Sequence, residues 1–163
     1  MKTVLVTGGT NGIGKGVAMN YLEKGHRVIV IGSSHKNGNI FYEEAKKINA
    51  EERAFYIQAD LSSVKENQEL VKKISSRFKC LDLIIFCAAK NSKTYIQTKE
   101  GFELTFALSY LSRFILSYGL KETLEKSKNP MIVNICGSGM KGEVNWNDLG
   151  HKENFNAQKS YVP

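Results

Sequence analysis

Hydrophobic and polar positions divide this chain into two alternating kinds of segment. Short, continuous apolar runs bounded by glycine or polar residues are typical of strands buried in a parallel sheet. Between these runs, apolar residues recur every three or four positions, which predicts helices. The predicted strands cover residues 2–8, 26–32, 53–60, 81–88 and 131–136.

The predicted helices are marked by their apolar spacing and by their ends. Segment 12–25 has apolar residues four positions apart and closes on a glycine, a common residue after a helix. Segment 63–78 opens with Ser63 and Glu66, the spacing of a capping box. A long helix is predicted from about residue 101 to 126.

Repeated strand–helix units with right-handed crossovers predict a doubly wound parallel sheet of the Rossmann type, an α/β fold. We expect the strand order 3-2-1-4-5. The chain has 163 residues and no linker or internal repeat, so we expect one domain over residues 1–163.

The sequence TGGTNGIG lies in the turn between the first strand and the first helix. Glycines there permit a tight turn and a close approach of backbone to a ligand, and the helix start presents free N–H groups to an anion. The pattern therefore predicts a dinucleotide-binding site, the alternative being a glycine turn without a ligand. The candidate residues are Thr7, Gly8, Thr10, Asn11, Gly12, Ile13 and Gly14.

Composition limits the other classes of function. Apolar residues make up 42% of the chain and charged residues 24%, as in an ordinary globular protein. The net charge of +7 raises nucleic-acid binding as a weaker alternative, but the lysines are scattered and no basic patch with interleaved aromatic residues occurs. We therefore expect no nucleic-acid partner.

Targeting and metal signals are not found in the sequence. No signal-peptide pattern and no apolar run of membrane-spanning length occurs, so we expect a cytoplasmic protein without a membrane partner. Cys80, Cys87 and Cys136 have no zinc spacing, and the histidines show none either, so no metal site is expected. Buried, reduced cysteines are the first interpretation, and a redox-sensitive pair of Cys87 and Cys136 stays an alternative.

The glycine pattern T-G-x-x-x-G-I-G resembles the fingerprint of the short-chain dehydrogenase/reductase family. Three later segments resemble that family as well: Asp60-Leu61 after the third strand, LDLIIFCAA at 81–89 and MIVNICGS at 131–138. The resemblance implies an oxidoreductase that transfers a hydride between a nicotinamide cofactor and a small alcohol or carbonyl substrate. It also implies that Asp60 and Leu61 contact the adenine.

Other contacts follow from the same resemblance. Cys87, Ala88 and Ala89 occupy the place of a cofactor-lining segment, with Ala89 where the family has glycine. The long helix at 101–126 resembles the family's interface helix, so a homo-oligomer through it is an open expectation.

The end of the second strand bears on the choice of cofactor. An acidic residue there would bind the adenosine ribose and favour NAD(H), and none is present. Ser33, Ser34 and Lys36 offer hydroxyls and a cation, which suit a 2′-phosphate. NADP(H) is therefore favoured over NAD(H).

The catalytic residues implied by the resemblance are a tyrosine, a serine and a lysine, supported by a helix asparagine. Tyr161 matches the tyrosine, and the lysine would lie two residues beyond Pro163, so we expect a C-terminally truncated domain. The usual register puts Gly137 at the serine position, which leaves Ser138 as the candidate. Ser109 stands at the asparagine position.

The positions that differ from the family pattern, at Ala89, Ser109, Gly137 and the lysine, all belong to the catalytic part of the pattern. The nucleotide-binding part matches the family well. The favoured interpretation is an enzyme of the short-chain dehydrogenase type. The alternative is a non-catalytic dinucleotide-binding or regulatory domain, and the activity of the 163-residue chain on its own stays open.

Overall fold

Five parallel strands form one sheet in the order β3-β2-β1-β4-β5. The computed structural model describes residues 1–90, 92–137, 145–150, 152–153 and 155. The fold class and strand order predicted from the sequence are confirmed. The strands are β1 Thr3–Thr7, β2 Arg27–Gly32, β3 Ala54–Gln58, β4 Leu83–Phe86 and β5 Met131–Asn134.

Helices cover both faces of this sheet. They are α1 Gly12–Glu23, α2 His35–Lys47, α3 Val64–Arg77, α4 Leu104–Phe106, α5 Ser112–Gly119 and α6 Lys121–Leu124, with a π-helical turn at Ala107–Leu111 and a 3₁₀ turn at Glu51–Arg53. Successive strand residues point to opposite faces, so β1 supplies Val4 to one core cluster and Leu5 to the other. The Val4 cluster packs under α1 and α2, and the Leu5 cluster packs under α3 and α5.

Side-chain caps fix where the helices begin. Asn11, Ser34 and Ser63 each accept a hydrogen bond from a backbone N–H of the first turn of α1, α2 and α3 respectively, which satisfies donors that the helix leaves unpaired. The predicted capping box at Ser63 is only half formed. Glu66 accepts from the N–H of Asp60 at 2.7 Å, so its carboxylate ties α3 to the end of β3.

The predicted long helix at 101–126 is shorter and interrupted. Gly101 has φ +88°, and the Glu103 side chain accepts from the N–H of Phe106 at 2.7 Å. This cap makes Leu104 the first helical residue. From there α4, the π turn and α5 run on without a break to Gly119, and we call this stretch the composite helix. The short α6 follows after Leu120.

Candidate functional site

The turn between β1 and α1 requires glycine for steric reasons. Gly8 and Gly12 have φ +66° and +50°, conformations that L-residues with side chains rarely adopt. A Cβ on Gly8 would lie 2.8 Å from the Cα of Ala88. The first turn of α1 therefore presents its backbone N–H groups to an open cavity, with Asn11 as the cap.

Gly14 brings α1 close to the sheet. A Cβ at this position would lie 2.5 Å from the carbonyl oxygen of Gly8 and 3.1 Å from the Cβ of Cys87. The helix start can thus lie directly above the end of β1 only because Gly14 has no side chain. This arrangement gives an anion room to approach the helix N-terminus.

A cavity of about 680 Å³ opens at the carboxyl ends of the strands, where ligands bind in open α/β sheets. Most of the residues predicted from the sequence line it. These are Gly8, Thr10, Asn11, Gly12, Ile13, Gly14, Ser33, Ser34, Asp60, Leu61, Cys87, Ala88 and Ala89.

One end of the cavity lies beyond β2 and β3. The Tyr56 hydroxyl shares its proton between the carbonyls of Gly32 and Ser34, each 2.9 Å away. These contacts hold the end of β2 in place. Burial raises the pKa of the Tyr56 hydroxyl, so it remains a donor. Lys36 is exposed on α2 and outside the lining, where Asn37 lies instead.

Asp60 is held in one orientation at the same end. Its Oδ1 accepts from the N–H of Ser62 at 2.9 Å and from the hydroxyl of Ser62 at 2.7 Å. The sequence analysis missed Ser62 and Asn37 as lining residues. Both are polar residues at helix starts, and neither matched a motif.

The other end, which we call the chemical end, is formed by the exits of β4 and β5. Thr7 is buried rather than lining, and its hydroxyl accepts from the N–H of Ala88 at 3.2 Å. This contact fixes the exit of β4. Lining residues here that were not predicted as cofactor-binding are Lys90, Leu104, Leu108, Ile135, Cys136 and Gly137.

Ser109 lies in the π turn of the composite helix, a feature found frequently at functional sites. Its Oγ is enclosed and has no hydrogen-bond partner among the described residues, and Ser109 is outside the cavity lining. The predicted catalytic residues Ser138 and Tyr161 lie outside the described residues. Their roles stay predictions.

Arg113 is a cation near the chemical end that the sequence analysis did not single out. Its guanidinium donates to Asn134 Oδ1 at 3.3 Å, to Cys136 Sγ at 3.2 Å and to the Ile135 carbonyl at 3.1 Å. Burial raises the pKa of the Cys87 thiol, while Arg113 acts in the opposite direction.

A membrane-spanning helix and a metal-binding cluster are both absent from the described part of the chain. None of its helices combines the length and apolar character needed to cross a bilayer. Nor does it contain a group of three or more His, Cys, Asp or Glu side chains arranged to hold a metal ion.

Comparison with known proteins gives consistent matches. A family model described as short chain dehydrogenase matches residues 2–148. Retinol dehydrogenase 11 of Mus musculus is 27% identical over 161 residues, covering 98% of this chain and 51% of the relative. The chain thus spans about half the length of the curated relatives it matches.

Solved structures give the same picture. The Pseudomonas aeruginosa RhlG/NADP active-site complex superposes with a TM-score of 0.69 at 26% identity, covering 87% of this chain and 58% of that one. A short chain dehydrogenase of Escherichia coli CFT073 complexed with NADPH gives a TM-score of 0.72 at 22% identity, covering 91% and 64%. At that lower identity the likeness concerns the fold alone.

Proposed function

This chain belongs to the short-chain dehydrogenase family, whose relatives found here are oxidoreductases, and we propose that it transfers a hydride between NADP(H) and a small alcohol or carbonyl substrate. The observation that supports this most directly is the glycine cradle at the start of α1. Cβ atoms at Gly8 and Gly14 would collide with Ala88 and with the Gly8 carbonyl, so glycine at both positions allows the tight turn that leads into the N-terminus of α1. A pyrophosphate can approach the free N–H groups of a helix that starts in this way.

We assign the ends of the cavity as follows. The N–H groups after Asn11 bind the pyrophosphate, and the fixed carboxylate of Asp60 lies at the adenine end. Ser33 and Ser34 lie beside the adenosine ribose. We further propose that residues 1–163 act as one dinucleotide-binding domain.

At the chemical end, a bound nicotinamide would supply or accept the hydride. The chain's own residues would donate or accept the proton at the substrate oxygen. We assign Tyr161 as the proton donor to the carbonyl oxygen and Ser138 as a hydrogen-bond donor to the same oxygen. Ser109, whose enclosed Oγ lacks a described partner, is assigned to a water relay.

The preference for NADP(H) over NAD(H) is supported by the neutral residues after β2. Of the lining residues that follow this strand, Ser33, Ser34 and Asn37 carry no negative charge, so nothing there repels a 2′-phosphate. The RhlG structure named above, which is 26% identical to this chain, is a complex with NADP. These facts favour the phosphorylated cofactor.

Titration with NADPH and NADH, measured by the fluorescence of the exposed Trp146, tests this proposal. We expect at least about tenfold tighter binding of NADPH, the value of one charge-assisted contact. Equal affinities would refute the cofactor preference. Failure of both to bind would refute the dinucleotide function itself.

Ser34 offers a matched pair of variants for the cofactor preference. Ser34→Asp and Ser34→Asn both retain a good N-cap for α2, but only aspartate adds a charge at the end of β2. We expect S34D to weaken NADPH binding and strengthen NADH binding, and S34N to leave the preference unchanged. If both variants behave alike, residue 34 does not contact the ribose or its phosphate.

NADPH oxidation over a panel of aldehydes and ketones separates an enzyme from a non-catalytic binding domain. Turnover that is lost in Tyr161→Phe supports the assigned proton donor. Dinucleotide binding without turnover on any carbonyl favours the binding-domain alternative for this chain.

A ridge of aromatic rings on the composite helix supports a homo-oligomer. Successive rings lie 4.7 to 6.4 Å apart between centroids, and several are largely exposed, with Tyr118 at 69%. We propose that this ridge contacts a second copy of the chain. It consists of Phe106, Tyr110, Phe114 and Tyr118 on the helix, with Phe102 just before its start.

Sedimentation velocity tests the ridge. The double substitution Tyr110→Ser and Phe114→Ser should shift a dimer to monomer, whereas Tyr42→Ser, on an exposed position of α2, should not. A wild-type chain that sediments as a monomer at high concentration would refute the proposal.

A further inference from the structure

A guanidinium and a thiol lie in contact at the chemical end of the cavity. The Arg113 side chain leaves the composite helix and donates to Cys136 Sγ at 3.2 Å. Its other contacts, the Asn134 amide oxygen and the Ile135 carbonyl, are neutral. Arg113 Nε is enclosed and has no hydrogen-bond partner within the described ranges.

No carboxylate of the described residues neutralises this cation. The ion pairs among the described residues all involve lysines. They are Lys15–Glu44, Lys65–Glu69 and Lys121–Glu125. Arginine remains protonated at any ordinary pH. Cys136 is the ionisable side chain, among the described residues, that accepts a hydrogen bond from this guanidinium.

The other two cysteines have different surroundings. Burial raises the pKa of both Cys80 and Cys87, which keeps them as thiols of low reactivity. Cys136 is exposed and lines the cavity. Cys136 is thus the cysteine that is both accessible to reagents and in contact with a cation. Cys80 and Cys87 serve as internal references for its labelling rate.

We propose that Cys136 is a thiol modification site inside the cavity, held in place by its hydrogen bond from Arg113 and open to small uncharged electrophiles such as hydrogen peroxide. The Cys136 sulfur attacks one peroxide oxygen, an S–O bond forms and the O–O bond breaks. Sulfur is oxidised by two electrons to a sulfenic acid, and the other oxygen leaves as hydroxide, which takes the proton that the thiol releases and becomes water.

A disulfide with Cys87 is not part of this proposal. Cys87 packs with Val133 and Ile135 against the core cluster under α1 and α2. Cys136 follows Ile135 and contacts Arg113 of the composite helix, which packs on the opposite face of the sheet. Side chains on opposite faces have Cβ directions that are unfavourable for a disulfide.

The first experiment compares iodoacetamide labelling rates of the three cysteines in the native chain, followed by mass spectrometry of peptides. We expect Cys136 to react at least about tenfold faster than Cys87. Arg113→Gln should slow Cys136 about fivefold or more, and Arg113→Lys should restore part of the rate because it retains a cation. Equal rates at the three cysteines, or an unchanged or faster rate in R113Q, would overturn the proposal.

The second experiment treats the chain with hydrogen peroxide and traps sulfenic acid with dimedone. An adduct on the peptide that contains Cys136 is expected, and its absence would refute the peroxide step. Circular dichroism of R113Q, compared with the wild type, shows whether the variant keeps the fold. If it does not, the labelling rate of Cys136 relative to those of Cys87 and Cys80 in the wild type decides whether Cys136 is the reactive thiol.

The third experiment rests on the proposed function, because it adds NADPH. Bound dinucleotide should slow labelling of Cys136 and leave Cys80, at the other end of β4, unchanged. Binding without protection refutes a shared cavity. If NADPH does not bind, the proposed function fails, while the labelling rates measured without NADPH still test the thiol site.

Discussion

Replacing Gly14 with alanine tests how closely α1 lies against the sheet. The added Cβ would lie 2.5 Å from the Gly8 carbonyl oxygen, about 0.9 Å short of the 3.4 Å at which ordinary contact begins. Backbone atoms at Gly8 are anchored in the β1 turn, so the helix start must shift. Overpacking of this kind costs about 1–3 kcal/mol, which exceeds the gain of roughly 0.5–1 kcal/mol from alanine in a helix.

Gly16 provides a matched control two residues further along the same helix. It is exposed, and a Cβ there would meet nothing within 4 Å, so Gly16→Ala should stabilise the protein by about 0.5–1 kcal/mol. The free energies of unfolding, measured by urea denaturation followed by circular dichroism, should place G14A below the wild type and G16A above it.

Cofactor affinity gives a second measurement on the same pair. A shifted helix start moves the N–H groups that face the phosphate, so G14A should bind NADPH about tenfold more weakly, the value of one charge-assisted hydrogen bond. G16A should bind it like the wild type. If G14A is as stable as the wild type, the neighbouring backbone gives way cheaply and the steric argument for this glycine is wrong.

Two further predictions concern hydrogen bonds at opposite ends of the sheet. Burial by itself would raise the pKa of Asp82, but the hydrogen bonds from Ser127 and the Thr3 N–H, with nearby positive charges, lower it. The ionised Asp82 therefore stabilises the fold above its unfolded pKa of about 3.9, and this stabilisation is lost as the pH falls through its lower folded pKa. The unfolding free energy of Asp82→Asn should therefore fall less steeply below pH 4 than that of the wild type. Tyr56→Phe removes the hydroxyl that holds the Ser34 carbonyl and should cost about 1 kcal/mol of stability and weaken NADPH binding.

Urea midpoints across the acid range measure the first effect, and parallel curves for wild type and D82N would contradict it. For the second, Tyr42→Phe is the control, because Tyr42 is exposed on α2. If both Tyr→Phe variants bind NADPH like the wild type, the Tyr56 hydroxyl does not position the end of β2.

The fold and the glycine turn between β1 and α1 were predictable because they depend on local rules. Apolar runs of strand length, separated by helical spacing, determine the sheet, and the family resemblance drawn from residues 7–14 is confirmed by the family match. Gly8 and Gly12 have positive φ, a conformation that glycine adopts readily and other residues rarely adopt. Neighbouring residues in sequence carry all of this information.

The chemical end was less predictable because its contacts join distant parts of the chain. Arg113 meets residues 21 to 23 positions away, and no local pattern indicates which acceptors a long, flexible side chain will find. Similarly, Ser63 bonds to Glu100 as well as capping α3.

The two ends of the cavity are nevertheless built as one unit. Ala88 at the β4 exit donates its N–H to the Thr7 hydroxyl, and Cys87 donates to the Thr7 carbonyl at 3.2 Å. Gly8 in turn needs the space beside Ala88, since a Cβ there would lie 2.8 Å from its Cα. The β4 exit therefore holds the phosphate loop in shape whatever chemistry the cavity performs. A chain that lost its catalytic residues would still be selected for these contacts as long as it bound a dinucleotide, so the preserved loop is evidence for binding, and catalysis must be tested at the other end of the cavity.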